Sequence, residues 1–455
     1  MRAIASGWAD TSRRPVATAS PLYGARCAEQ RRVVSPTRPT LTVVGRRLTP
    51  EDHRLRDFLT RAAQPFEWVE AGTPEAQQVL EAHGATELEL PVVIDQGEAI
   101  GAATIERLGE HWHATAPPAR TDYDLVIVGG GPAGLAAAVY AASDGLSTIV
   151  LEEDLPGGQA GHTALIENFF GFPGGIGGAE LARLAARQAE GFGAELVLLR
   201  GATGSRREEN GYAIEVAGGH EVRAPVVIAA PGMVWRRLEV EGIDELLGRG
   251  VYYGAGRSEA AQCSGDSVVV VGAGNSAGQA VMHLADSGAR VTMTVRGDLL
   301  GKSMSAYLVE RIAEHPLIDV RLRTQVEAVE ADDGRLVGVT VREADGGSEH
   351  VPACALFLCL GGQPRTGWAE EGGVRLDRQG FILTGPDLLE DGRRPDGWPL
   401  ARDPLALEMS VPGLFAAGDV RHGSAKRVAG AVGDGAIAVV LAHRRLEEMV
   451  AAGER

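Results

Sequence analysis

Glycine-rich turns that join a buried strand to a helix are the features of this sequence that point most directly to chemistry. The first turn, residues 129–134, follows the apolar run 124–128 and precedes a helix rich in small residues. Glycines there let the backbone approach a pyrophosphate, which free N–H groups at the start of the helix can bind. The predicted contacts of this dinucleotide site are Gly129, Gly131, Pro132, Ala133 and Gly134.

A carboxylate at the end of the next strand supports the same interpretation. The strand 147–151 ends at Glu152, 18 residues after Gly134. An acid at this position can accept hydrogen bonds from both hydroxyls of a ribose. A glycine turn that only packs a helix against a strand is the alternative, but the complete unit of strand, turn, helix and acidic strand end favours a nucleotide.

A second unit repeats the arrangement later in the chain and predicts a second dinucleotide. The strand 268–271 leads into a turn whose predicted contacts are Gly272, Gly274, Asn275, Ser276 and Ala277. The following strand, 290–295, ends in Arg296, with Lys302 nearby. These cations can pair with a 2′-phosphate, which favours NADPH over NADH. The alternative is an arginine that is simply solvated at a strand end.

An acidic strand end and a helix start also come together near the C-terminus. The apolar segment 412–419 ends in Gly418 and Asp419, and a helix is predicted for residues 433–442. The segment between them contains Arg427, Val428 and Ala429, to which the family resemblance described below assigns a place in a cofactor site. We expect the acid and the helix N-terminus to converge on one ligand.

Length, charge and cysteine content limit the classes of function. The 455 residues correspond to roughly three domains. A net charge of −17 repels phosphate backbones, so nucleic acid is not expected as a partner, and no apolar stretch approaches the roughly 20 residues of a membrane helix. Four cysteines without a Cys-x-x-Cys pair predict a reducing cytoplasm and no metal site. Cys263 is expected to be a buried, inert thiol, and Cys354 and Cys359 are expected to lie in the core.

The first residues of the chain differ in composition from the rest. Residues 1–39 contain seven arginines and no apolar core of a signal peptide. We expect this leader to be disordered, as a transit peptide, an unstructured extension or a misplaced start.

Residues 40–115 alternate strand and helix patterns, with Thr49 as the predicted N-cap of a helix. Their order resembles the thioredoxin and glutaredoxin fold, and Pro91 stands where that fold has its cis proline. Residues 46–49, at the place of the fold's Cys-x-x-Cys, read Arg-Arg-Leu-Thr. This domain therefore cannot carry out dithiol chemistry, and the proline-rich segment 116–121 is predicted to be a stiff linker after it.

Residues 121–450 resemble the low-molecular-weight thioredoxin reductase family. The matching motifs are Gly157-Gly158-Gln159, Ile166-Glu167-Asn168 before Gly171-Phe172-Pro173, and Ala416-Ala417-Gly418-Asp419. The resemblance implies FAD and NADPH as cofactors and a homodimer. The residues that it implies for the FAD site are Gly158, Gln159, Asn168, Asp419 and the region of Arg427. It also implies an FAD domain in two parts, 122–233 and 365–455, around an NAD(P)H domain at 234–364, with joints near 231–238 and 361–366.

The sequence departs from this family at the redox-active Cys-x-x-Cys. After residues 250–253, Gly254 and Arg257 occupy the two cysteine positions. Thiol–disulfide exchange requires a thiolate at that place, so electrons cannot leave the flavin by the family's usual route.

The expected fold is α/β, with two Rossmann-like three-layer domains for FAD and NAD(P)H and an N-terminal thioredoxin-like α/β domain. The expected function is that of an FAD-dependent NADPH oxidoreductase whose acceptor is a small molecule, a quinone, dioxygen or a partner protein, rather than thioredoxin. No catalytic side chain is predicted, because the cofactors carry the chemistry. Two alternatives stay open: a thioredoxin-disulfide reductase that uses other thiols, and an FAD-binding redox sensor or regulatory protein with little turnover.

Overall fold

The computed structural model describes residues 39–46, 49–112, 114–254, 263–302, 304–369 and 372–454. The predicted leader therefore lies outside the described residues, except for Pro39. Arg257 also lies outside them, as do Arg47 and Leu48 at the position of the thioredoxin fold's cysteine pair.

The N-terminal part of the described chain forms a four-stranded sheet. Its strands are β1 (Leu41–Gly45), β2 (Phe66–Glu70), β3 (Val92–Asp95) and β4 (Glu98–Ile100), and its helices are α1 (Pro50–Arg61), α2 (Pro74–Ala82) and α3 (Ile105–His111). The order across the sheet is β2-β1-β3-β4, with β1 parallel to β2 and antiparallel to β3. A threonine caps each helix through its side-chain oxygen, as predicted for Thr49. The Leu90–Pro91 peptide bond is cis.

A five-stranded parallel sheet carries the first glycine turn. Its strands, in spatial order, are β22 (Leu414–Ala416), β11 (Val226–Ala229), β5 (Leu125–Val128), β6 (Thr148–Leu151) and β7 (Glu195–Val197). The helices of this unit are α4 (Pro132–Ser143), α5 (Gly178–Phe192) and α8 (Val428–Ala452), and its antiparallel meander consists of β8 (Ala202–Glu208), β9 (Gly211–Val216) and β10 (His220–Ala224). Leu125 and Ile127 pack with α4 and α8, whereas Val126 packs with the meander, so the unit has three layers.

A second parallel sheet carries the second glycine turn and repeats this plan. Its strands, in spatial order, are β13 (Val251–Tyr253), β20 (Ala355–Leu358), β14 (Ser267–Val271), β15 (Arg290–Val295) and β16 (Ile318–Leu322). The other elements are α6 (Asn275–Asp286), α7 (Ala306–Glu314) and a meander of β17 (Thr324–Asp332), β18 (Arg335–Glu343) and β19 (Ser348–Pro352). Val268 and Val270 pack with the helices, and Val269 and Val271 pack with the meander. The alternation along β14 thus reproduces that along β5.

A two-stranded ribbon joins the two parallel-sheet units. Strand β12 (Met233–Trp235) pairs in antiparallel fashion with β21 (Gly362–Pro364). These strands lie in the two segments predicted as joints, so both passages of the chain between the units run side by side. Short 3-10 turns are present at Glu87–Glu89, Gly158–His162, Asp244–Leu246, Leu300–Lys302 and Gly385–Leu388. Among the described residues, no helix combines the length and the apolar character needed to cross a membrane.

Helix α1 joins the N-terminal sheet to the segment that follows β6. The Arg61 guanidinium binds the carboxylates of Asp57 and Asp154, each at 2.7 Å. Asp57 also lies 3.5 Å from Nδ1 of His162. Leu155, from the same segment, is buried in the apolar cluster that contains the α1 side chains. Polar and apolar contacts therefore both hold the N-terminal sheet against the unit that carries the first glycine turn.

Two predictions about the fold are wrong. The helix predicted for residues 433–442 is the much longer α8, because Leu446 and Met449 continue its buried face beyond the predicted end. Cys354, which was expected in the core, is exposed, since it lies immediately before β20 rather than within it. Cys263 is buried as predicted.

Candidate dinucleotide-binding sites

Two glycines of the first turn are required by the packing of the chain itself. Gly129 has a φ of +102°, and a Cβ there would overlap the carbonyl oxygen of Ala230. A Cβ at Gly134 would overlap the carbonyl oxygen of Gly129, because α4 starts directly against the turn. These positions exclude a side chain whether or not a ligand is bound.

Gly131 has a different environment and faces open space. It is the N-cap of α4, its φ of −71° is ordinary, and a Cβ there would meet nothing within 4 Å. Pro132 follows at the first helical position. The backbone N–H groups of Ala133 and Gly134 belong to the first helical turn, whose donors have no partner within the helix. Open space at a helix N-terminus fits a pyrophosphate.

Glu152 lies directly beside this turn. Its side chain is buried and accepts hydrogen bonds from the backbone N–H of Gly130 at 2.5 Å and of Asp154 at 2.9 Å. Burial raises the pKa of Glu152, and the two hydrogen bonds act in the opposite direction. A carboxylate has about four acceptor positions, so two hydrogen bonds leave room for the hydroxyls of a ribose.

The C-terminal motif meets the same turn. A Cβ at Gly418 would lie 3.0 Å from the Cβ of Ala133, and a Cβ at Gly435 in α8 would overlap the carbonyl oxygen of Ala133. The start of α8 therefore lies beside the start of α4. Burial raises the pKa of Asp419, while the charge of Lys426 and a hydrogen bond from Ser424 lower it.

The remaining predicted residues of this site are less closely associated. Gly158 approaches the turn, since a Cβ on it would lie 3.4 Å from the Cα of Gly131. Gln159 donates from Nε2 to the carbonyl oxygen of Met233 at 2.9 Å, which links its segment to strand β12 of the ribbon. Asn168 and Arg427 are exposed, and their side chains make no hydrogen bond to the described residues. Val428 and Ala429 form the first turn of α8, and Arg427 occupies its N-cap position without a side-chain capping hydrogen bond.

In the second glycine turn, too, one glycine is required by packing and another faces open space. Gly272 has a φ of +147°, and a Cβ there would overlap the carbonyl oxygen of Cys359. Gly274 is the N-cap of α6, and a Cβ on it would meet nothing within 4 Å. Asn275 accepts a hydrogen bond from the Ser305 N–H at 2.7 Å through Oδ1, so its side chain holds a neighbouring loop. Ser276 is exposed and Ala277 is buried.

A basic edge flanks this second turn. Arg296 is exposed and makes no ion pair with the described residues. Lys302 is bound to Asp298 at 2.6 Å, which leaves it less free to bind an anion than predicted. Arg323 was missed: strand β16 pairs with β15 so that Leu322 is opposite Val295, and Arg323 therefore ends its strand beside Arg296. The sequence did contain a signal for Arg323, because the strand after β15 is also followed directly by an arginine.

The comparison with known proteins identifies the family. Residues 123–435 match the model of the pyridine nucleotide-disulphide oxidoreductases. The chain belongs to this family. It is 32% identical to thioredoxin reductase of Bacillus subtilis (strain 168) over 331 residues, which are 72% of this chain and 96% of the relative. It is 33% identical to thioredoxin reductase of Treponema pallidum (strain Nichols) over 324 residues, 70% of this chain and 95% of the relative.

A solved structure shows the same fold. The crystal structure of T. acidophilum thioredoxin reductase, with 29% identity, superposes with a TM-score of 0.64 and covers 72% of this chain and 100% of its own. The chain is thus an oxidoreductase of the thioredoxin reductase-like flavin family. Thioredoxin reductases of this family use FAD and NADPH. The family match begins at residue 123, so the N-terminal four-stranded sheet lies outside it.

Proposed function

We propose that this chain is an FAD-dependent NADPH oxidoreductase that passes electrons to an acceptor other than a thioredoxin disulfide. The observation that carries the proposal is a contrast within one chain. Both dinucleotide turns keep their glycines and their open helix N-termini, whereas Gly254 and Arg257 stand at the two positions where thioredoxin reductases have cysteine.

The first site fits FAD. Backbone N–H groups at the starts of α4 and α8 would bind the pyrophosphate, and Glu152 would hold the ribose of the adenosine half. Gly158, Gln159, Asn168 and Asp419 would line the remainder, as the family resemblance implies. In domain terms, residues 122–233 and 365–455 would form the FAD domain around an NAD(P)H domain at 234–364, and the ribbon of β12 and β21 supports this division.

The second site fits NADPH. The N-terminus of α6, with Gly274 at its cap, would bind the pyrophosphate. Arg296 and Arg323 end neighbouring parallel strands and would bind the 2′-phosphate. Lys302 contributes less, because Asp298 already neutralises it. When bound, NADPH supplies a hydride and FAD passes the electrons on singly or in pairs.

The N-terminal domain offers a place for an acceptor to dock. The strand order β2-β1-β3-β4 supports a thioredoxin-like fold for residues 40–115. Its expected cysteine positions carry no thiol, so it would bind a partner rather than exchange disulfides. Small molecules, quinones and dioxygen are the acceptors that need no such docking.

Two other functions remain as alternatives. A thioredoxin-disulfide reductase would need other thiols, and the free cysteines among the described residues are Cys263, Cys354 and Cys359. A redox sensor would bind FAD but turn over slowly, and the absence of cysteine pairs from both expected positions favours it.

A homodimer and a cytoplasmic location stay part of the proposal. Several large apolar side chains of the FAD-site unit are exposed in the single chain, with Phe170 at 94% and Val440 at 66%. A second copy would cover such side chains. Light scattering of the FAD-loaded protein should give twice the 47.7 kDa mass of one chain, and a mass of one chain at micromolar concentration would contradict the dimer.

Anaerobic stopped-flow mixing with NADPH tests the proposed function. We expect the visible absorbance of oxidised flavin to disappear after mixing, and to do so more slowly with NADH at the same concentration. The absorbance of a sample mixed with buffer alone is the control. If the flavin stays oxidised at saturating NADPH, the proposal of an NADPH oxidoreductase is rejected and the redox sensor is the remaining alternative.

A further inference from the structure

Two cysteines meet at the amino-terminal edge of the second parallel sheet. Cys263 lies in the turn just before β14, where its carbonyl oxygen accepts a hydrogen bond from Asp266 N–H at 3.0 Å. Cys354 lies just before β20, and its N–H donates to the carbonyl oxygen of Ser267 at 3.0 Å. Ser267 is the first residue of β14, so Cys354 and the turn that holds Cys263 lie at the same edge of the sheet. The Cys263 thiol donates a hydrogen bond to the Cys354 sulfur.

The two thiols differ in access to solvent. Cys263 is only 5% exposed, whereas Cys354 is an exposed residue. An oxidant in solution can therefore reach Cys354. The buried thiol of Cys263 is its hydrogen-bond partner. Cys359, at the other end of β20, is buried and serves as an internal reference.

The environment also favours reaction at the outer thiol. The hydrogen bond from Cys263 lowers the pKa of Cys354, although burial and the carboxylate of Asp266 act in the opposite direction. Burial raises the pKa of Cys359 to about 12. Because the thiolate is the reactive form, Cys354 should react far faster than Cys359 at neutral pH.

We propose that Cys354 is an oxidation site for hydrogen peroxide and that Cys263 is its resolving thiol. The Cys354 thiolate attacks one peroxide oxygen, the O–O bond breaks, and the products are a sulfenic acid and, after uptake of one proton, water. The Cys263 thiol then attacks the sulfenic sulfur, which forms a disulfide and releases a second water. Overall, two thiols and one hydrogen peroxide give one disulfide and two waters.

The position of the pair separates this chemistry from the dinucleotide sites. From Cys354 to Cys359 the chain is extended over five residue steps, or roughly 16 Å. Cys359 contacts the glycine turn of the second site through its carbonyl oxygen, so Cys354 lies at the opposite edge of the sheet. The reaction needs neither FAD nor NADPH, and its failure would leave the proposed function untouched.

Peptide mapping of the FAD-loaded full chain tests the proposal. The protein is treated with one equivalent of hydrogen peroxide, blocked with N-ethylmaleimide, unfolded, alkylated with a second reagent and digested. We expect a disulfide-linked peptide pair that contains Cys263 and Cys354, while Cys359 takes up the second reagent. The Cys359→Ser variant should behave like the unmodified protein.

Variants separate the two roles. In Cys263→Ser the Cys354 sulfenic acid should accumulate and be trapped by dimedone, and in Cys354→Ser the disulfide should not form. Oxidation of Cys354 no faster than that of Cys359 in the unmodified protein would overturn the proposal. So would a disulfide that joins Cys354 to Cys27 or to a second chain instead of Cys263.

Discussion

Glycines with the same sequence signature serve different purposes in the two turns. Gly129, Gly134 and Gly272 leave no space for a side chain because neighbouring carbonyl oxygens occupy it. Gly131 and Gly274 have ordinary backbone angles and face open space at a helix start. Only the second group can report on a ligand, since substitution there does not disturb the fold itself.

Gly131→Ala separates ligand binding from folding. The added methyl group would project into the space where the pyrophosphate is proposed to lie, so FAD affinity should fall at least tenfold, about 1.4 kcal/mol, with little change in the stability of the apoprotein. FAD titration and thermal unfolding measure the two effects. Gly191→Ala, in an exposed part of α5 with nothing near its Cβ, is the matched control. Unchanged FAD affinity in Gly131→Ala would place the pyrophosphate elsewhere.

Arg296 sets the preference for NADPH in this account. Arg296→Ala removes a charge-assisted hydrogen bond worth about 1.5–3 kcal/mol, so the KM for NADPH should rise by roughly tenfold or more while that for NADH hardly changes. Adding Arg323→Ala to this variant should raise the KM for NADPH further. Arg378→Ala removes an exposed arginine elsewhere and is the control. Equal effects on both nucleotides would show that Arg296 does not contact the 2′-phosphate.

At the scale of elements, α1 and the segment after β6 form one polar contact. Asp57 receives a hydrogen bond from His162 and binds Arg61, which in turn binds Asp154. Burial alone would raise the pKa of Asp57, but these partners outweigh it and lower the pKa well below its usual value. The same segment begins at Glu152 and contains Gln159. Helix α1 of the N-terminal domain therefore packs against the segment that carries these two residues of the candidate dinucleotide site.

Asp57→Asn should destabilise the folded protein by on the order of 1 kcal/mol at neutral pH. A lowered folded pKa means that the stabilisation is present above the unfolded value of about 3.9 and is lost as the pH falls through the folded value. The difference from the unmodified protein in thermal unfolding should therefore shrink in acid. Asp319→Asn, which breaks an exposed pair with Arg321, should change little at any pH. A deficit for Asp57→Asn that persists undiminished in acid would rule out the ionic contribution.

The sequence predicts local features better than contacts between distant segments. Strand, turn, helix and acidic strand end are adjacent in the chain, so the unit from β5 to Glu152 is visible as a pattern. The adjacency of the strand ends at Arg296 and Arg323, and the contact of Cys263 with Cys354, depend on strand order and were missed. The extent of α8 was underestimated, because its buried face beyond residue 442 depends on packing against distant segments. Gly435 is required where α8 crosses α4.

At the scale of the whole molecule, the family fold is retained, and the proposed change lies in the route for electrons out of the flavin. Two three-layer units and their connecting ribbon follow the arrangement expected of a thioredoxin reductase relative. The N-terminal sheet is attached to the first unit through α1 and lies outside the family match. The account therefore places the change of function in the acceptor, and not in the use of the two nucleotides.

Anaerobic NADPH oxidation with oxidised thioredoxin as the sole acceptor tests this claim most directly. Thioredoxin should give no turnover above the rate without acceptor, whereas the same enzyme should reduce ferricyanide or a quinone. An established thioredoxin reductase in the same assay shows that the thioredoxin is active. Turnover with thioredoxin as fast as NADPH reduces the flavin would contradict the account.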